Sequence, residues 1–125
     1  MVRAYTRSMA VTASETASHL RRRRAAAAAA VRTRAAVVQQ RLTMVAALLR
    51  EGFGARRVWL FGSHATGGLH AESDVDLAVE GVGADRLDRA QAEVEAIVEG
   101  PVDLVRYESA APSLRARIGH EAREL

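Results

Sequence analysis

The sequence predicts an α/β (α+β) fold, a small mixed sheet packed against helices, with a long basic helix at its N-terminal end. Three observations predict it. A stripe of apolar residues with helical spacing fills the first half. Three short segments in the second half switch to strand patterning. Two further stretches with helical spacing separate or follow those segments, giving the order helix, strand, strand, helix, strand, helix.

The first helix is expected over 17–51. Val31, Ala35, Val38, Leu42, Val45 and Leu49 recur at alternating steps of four and three, which places them on one face. Alanine throughout favours the helix, and Gly52 and Gly54 end it. Residues 1–16 show no periodicity and are expected to be frayed or disordered, leaving 17–125 as one domain. The stripe is longer than a small domain can cover. Its start, from Leu20 to Val31, therefore either projects toward another chain or is the solvated end of a core helix.

Val58-Trp59-Leu60-Phe61 is wholly apolar and suits a strand near 57–61 buried on both faces. A glycine-rich turn follows, from Gly62 to Gly68. Residues 74–80 then alternate. Val75, Leu77 and Val79 point one way and Asp74, Asp76, Ala78 and Glu80 the other. Asp85 opens a helix near 85–98, with Leu87, Ala90, Val94 and Ile97 inward and Gly100-Pro101 at its end. A third strand is expected near 102–107, and a last helix near 113–123 with Leu114 and Ile118 inward.

Composition bounds the class. The chain has 125 residues, 49% of them hydrophobic and 26% charged, the balance of one soluble domain. With no cysteine, disulfides and thiolate metal sites are excluded. No run reaches the roughly 18 apolar residues of a membrane span. Arg21 to Arg24 followed by Ala25 to Val31 faintly resembles a secretory leader, but the apolar part is short and soon meets Arg32 and Arg34. A cytoplasmic protein is expected.

The net charge of +3 conceals an asymmetry. Residues 1–57 hold 12 arginines and 2 acids, whereas residues 58–125 hold 6 arginines and 13 acids. The basic half could meet an acidic partner or nucleic acid. A solvated helix face is the plainer account of Arg21 to Arg24, so a nucleic-acid partner is not expected.

The chemistry is carried by carboxylates. Asp74 and Asp76, two apart on a strand, share one face about 6–7 Å apart. Like charges that close favour a cation between them. Oxygen ligands without cysteine point to magnesium or manganese. Asp103 can join them if its strand lies beside theirs, for Val102 and Leu104 then share the buried side with Leu77 and Val79. Gly62 and Ser63 end a strand where backbone N–H groups and a hydroxyl can cradle phosphate.

These residues carry a family resemblance. Phe61-Gly62-Ser63-His64-Ala65-Thr66-Gly67, five residues, then Ser73-Asp74-Val75-Asp76-Leu77 resembles the signature of the minimal nucleotidyltransferases of the DNA polymerase beta superfamily, without a gap. Asp103, in Val102-Asp103-Leu104-Val105, matches the family's later aspartate. The resemblance covers roughly 40–125. It implies a polymerase-beta-like fold and magnesium-dependent transfer of a nucleoside monophosphate. Asp74, Asp76 and Asp103 would be the metal-binding and catalytic residues, with Asp103 helping to deprotonate the acceptor. Gly62, Ser63 and Ser73 would bind the nucleotide. The resemblance extends to antitoxins paired with helical HEPN-type toxins, so AMP from ATP to a hydroxyl of a partner protein is the expected reaction. The alternative is an antitoxin that only masks its partner. Many relatives carry arginine at the position of Thr66 and arginine or tyrosine at that of His64. Arg56 or Arg57 could compensate, and His64 and His70 either contact the nucleotide or, the favoured reading, are exposed loop histidines.

Overall fold

The structure, a computed structural model, describes residues 12–69 and 73–125. Residues 1–11 and His70, for which expectations were stated, lie outside the described residues.

Helix α1 runs Ala13–Ala47 and continues through a wide π turn, Leu48–Gly52. It begins four residues earlier than its periodicity suggests, because Thr12 and Glu15 form a capping box. The Thr12 hydroxyl accepts from the Glu15 N–H, and the Glu15 carboxylate accepts from the Thr12 N–H. This local device needs no apolar stripe. Then come β1 (Arg57–Phe61), a one-turn helix α2 (Ser63–Thr66), β2 (Val75–Glu80), α3 (Leu87–Val98), β3 (Val102–Arg106), α4 (Pro112–Glu121) and β4 (Arg123–Glu124). Asp85 sits in a 3-10 turn that leads into α3 rather than at the start of the helix itself.

The sheet order is β3-β2-β1-β4. β1 runs antiparallel to β2 and to β4, and β2 runs parallel to β3 through the α3 crossover. The expected pairing of the Asp103 strand beside the Asp76 strand is therefore present. β4 was not expected. The last helix stops at Glu121, and Arg123 and Glu124 pair with Leu60 and Trp59. Leu125 N–H donates to the Val58 carbonyl, and the Arg50 guanidinium donates to the Leu125 carbonyl.

One face of the sheet, with Val58, Leu60, Leu77, Val79, Val102 and Leu104, packs on α1 and α3. From the stripe of α1, Val38, Leu42, Val45 and Leu49 are buried there, while Val31 and Ala35 are half-buried. Residues 19–30 are exposed all round. The other face carries Trp59, Phe61 and Ala78 beneath Ile118 of α4. Helix α3 ends on Glu99, held at φ 55°, and not on the neighbouring glycine. Gly100 serves a different need. A Cβ there would lie 2.3 Å from Nη2 of Arg34, whose guanidinium donates to the Glu99 carbonyl and ties α1 to the end of α3.

Two changes should separate the core from the projecting part of α1. Leu42→Ala should cost about 2–5 kcal/mol in urea unfolding. Deleting residues 1–24 should change stability by less than about 1 kcal/mol, because the side chains lost from 19–24 are exposed.

Candidate active site

Strand register brings the chemistry together. Asp76 in β2 is the Cα partner of Asp103 in β3 and of Phe61 in β1. In a parallel ladder, residues in register project to the same face, so the two carboxylates stand side by side. They share that face with α4. Val75, Leu77, Val102 and Leu104 go into the opposite core, as the alternation requires.

Asp76 is half-buried, and Asp103 and Asp74 are exposed. Asp74 lies one residue ahead of β2 rather than within it, because the ladder starts at Val75. Its charge still acts on Asp76. Burial first, and Asp103 second, push the Asp76 carboxyl above the ordinary aspartate range. Arg117 of α4 opposes the shift, and Asp74 and Glu121 add to it. The three aspartates are thus arranged as a register-locked pair with a third flanking it. Among the described residues, no three acidic or imidazole groups stand close enough to hold a metal ion as they are.

The donor set still fits a hard divalent cation. All its ligands are oxygens, and the Asp76 carboxyl is short of positive charge. Gly62 adds a cradle. Its φ is 71°, a conformation that favours glycine, and a Cβ there would lie 2.1 Å from Oδ2 of Asp76. Any side chain at 62 would fill the space beside that carboxylate. Asp74, Asp76 and Asp103 are the residues that would hold the ion.

Ser63 opens α2 directly after Gly62. Bonding within this turn begins with Ala65 N–H donating to the Gly62 carbonyl, so the Ser63 and His64 N–H groups precede it. Thr66 donates its hydroxyl back to the same carbonyl at 3.3 Å. Ser73, half-buried, follows the loop and is hydrogen-bonded through its backbone with His64.

Two expectations are corrected here. His64 is buried, at 8% exposure, because α2 tucks beneath α1, where the Gln39 amide donates to the His64 carbonyl at 3.2 Å. Burial lowers its pKa below the usual histidine value, the Ser73 bond opposes this, and the Arg34 charge lowers it further. His64 is therefore a buried wall of a cleft of about 300 Å³ that also includes Arg34, Leu69 and Ser73. Arg56 and Arg57 cannot replace a missing phosphate-side cation. They stand at the start of β1, with Arg57 opposite Glu80 while Phe61 is opposite Asp76. Arg56 pairs with Glu80 at 3.5 Å, and Arg57 pairs with Glu124 at 2.6 Å and stacks 4.7 Å over Trp59. The basic residue the sequence did not reveal is Arg117, which lies 5.4 Å over the Phe61 ring. Nothing in its local pattern separates it from other exposed helical arginines.

Residues 45–125 match the family model described as polymerase beta, nucleotidyltransferase. The chain belongs to this family. It is 39% identical over 72 residues, 55% of this chain and 77% of the relative, to a protein of Methanocaldococcus jannaschii named "Putative protein adenylyltransferase". A solved structure described as a "putative minimal nucleotidyltransferase" superposes with a TM-score of 0.65 at 30% identity, covering 73% of this chain and 95% of that one. A chain from the solved complex of a tri-AMPylated Shewanella oneidensis HEPN toxin with its MNT antitoxin superposes with a TM-score of 0.58, covering 70% of each chain. Its identity is 21%, so that likeness is one of fold. The shared nucleotidyltransferase fold includes the four-stranded mixed sheet and flanking helices. Among the described residues no helix is long and apolar enough to cross a membrane.

Two substitutions test this geometry. Gly62→Ala should lower stability by about 1–3 kcal/mol, since it combines a positive φ with a clash at Asp76. Asp76→Asn should instead raise the melting temperature of the metal-free protein at pH 7–8 by roughly 1–3 °C. A raised aspartate pKa means the ionised form is disfavoured in the fold. The gain should shrink as pH falls through the carboxylate range, where wild-type Asp76 takes up its proton. Thermal melts of both proteins across pH measure it.

Proposed function

We propose that this nucleotidyltransferase moves AMP from ATP to a hydroxyl on a partner protein, as an antitoxin acting on a helical HEPN-type toxin. The observation that carries the reading is the Asp76–Asp103 pair set against the bare backbone of Gly62. The adenylyltransferase name of the 39% identical relative supports the choice of AMP, and the fold shared with a chain of the AMPylated toxin complex supports a protein acceptor.

In this reading the Ser63 and His64 N–H groups and the Ser63 hydroxyl receive phosphate oxygens. Magnesium or manganese, when bound, would supply the positive charge that lets Asp76 ionise beside Asp103 and a polyphosphate. The acceptor oxygen attacks the α-phosphorus. Its bond forms as the bond from that phosphorus to the bridging oxygen breaks, and pyrophosphate leaves. The hydroxyl proton passes to the Asp103 carboxylate, which is exposed and so reachable by an acceptor held on another molecule.

The projecting part of α1 supports a partner at this end of the sheet. Gln39 bonds the motif helix, and Ala27, Ala30, Val31 and Arg34 line the cleft with His64 and Ser73. Residues ahead of Ala27 therefore extend beyond the end of the sheet that carries Gly62. We assign this arm to the helical partner, with a second copy of the chain as the alternative occupant.

A second reading has one specific observation in its favour. Position 66 carries no charge, and its hydroxyl is turned back onto Gly62. A protein that masks its partner without catalysis would need no cation there. Label transfer separates the two. With ATP labelled at the α-phosphate, magnesium and the partner, label should move to the partner, whereas label at the γ-phosphate should not. Asp76→Asn and Asp103→Asn should each reduce transfer by roughly 100-fold or more. Stable complex formation without transfer of α-label would establish the masking reading instead.

A further inference from the structure

We propose that Arg117 of α4 is a phosphate-contacting residue of this site, held by Glu121 before the nucleotide arrives and transferred to the leaving phosphates when it binds. The inference rests on the reading of the site as a nucleotidyltransferase centre.

Position comes first. Phe61 is the register partner of Asp76 and the residue before Gly62. The Arg117 guanidinium lies 5.4 Å from the Phe61 ring centroid, on the face that carries Asp76. Its charge reaches the Asp76 carboxylate. Among the described residues, the charged side chains that act on Asp76 are the acidic Asp103, Asp74 and Glu121 and the basic Arg117.

The chemistry follows from what Arg117 does with its donors. Its Nε–H donates to Glu121 one helical turn on. Its two terminal NH₂ groups have no acceptor among the described residues. A planar fork of free N–H groups matches two phosphate oxygens. Among the described residues, the other cations near the motif are placed differently. Arg34 donates to the Glu99 carbonyl, Arg56 and Arg57 are paired at the far end of β1, and His64 is buried with a lowered pKa.

Arg117 is exposed and Glu121 half-buried, and an Arg–Glu pair one turn apart on a helix is a weak contact. Glu121 is therefore a weak holder that a polyphosphate can displace. The fold does not depend on Arg117, since α4 is anchored through Leu114 and Ile118.

Calorimetry on the full chain with magnesium tests the proposal, using ATP, ADP and AMP as probes. Arg117→Gln should weaken ATP by about 10- to 100-fold, the scale of one charge-assisted contact, and leave AMP within about twofold. Arg117→Lys should recover part of the loss. Glu121→Gln should tighten ATP by about two- to fivefold, and that gain should vanish in the Arg117→Gln background. Melting temperatures should stay within about 2 °C of the parent. Unchanged ATP affinity in Arg117→Gln, or an equal loss for ATP and AMP, overturns the proposal while leaving the site reading intact. Failure of the unsubstituted protein to bind ATP overturns both.

Discussion

Two like charges held in register on one row of the sheet are the constraint around which the molecule is organised. Asp76 faces Asp103 across a parallel ladder, and neither can move without breaking strand pairing. The cost is visible in the direction in which the Asp76 carboxyl is shifted. The fold thus carries a carboxyl whose charged form burial and its neighbour both disfavour, the arrangement on which the proposed site rests.

The rest of the fold holds that row in place. Helices α1 and α3 bury the opposite face, so β2 cannot slip by one residue without sending Leu77 and Val79 to the wrong side. Gly62 leaves room where any Cβ would strike Asp76. Helix α4 covers Trp59 and Ala78 with Ile118 but leaves the aspartate end of that face open to solvent at Asp103. Burial is thus graded along one face, from packed to accessible.

The basic half of the chain divides between two roles. Arg34 and Arg41 bond the last carbonyls of α3, with Arg41 also 3.3 Å from Glu99, and so join the first helix to the domain. Arg21 to Arg24 lie on the exposed part of α1, where alanine sustains the helix without tertiary packing. The same composition therefore serves as a clamp at one end and as an unburied surface at the other.

What the sequence by itself determined is the set of features with a short period or a tight spacing. The stripe ending at Leu49, the alternation through Asp76, and the glycine-rich turn from Gly62 to Gly67 five residues before Ser73 follow from local rules, and the three main strands and the longer helices stand within a few residues of where those rules put them. Tertiary structure decided what depends on distant neighbours. Arg123–Glu124 became a strand because β1 offered a free edge, and its two residues carry no periodicity of their own. His64 became buried because α1 passes over it. Arg56 and Arg57 were directed to Glu80 and Glu124, while Arg117, one exposed helical arginine among several, was brought beside Asp76. Which cation meets which carboxylate is a matter of long-range packing, and no local pattern encodes it.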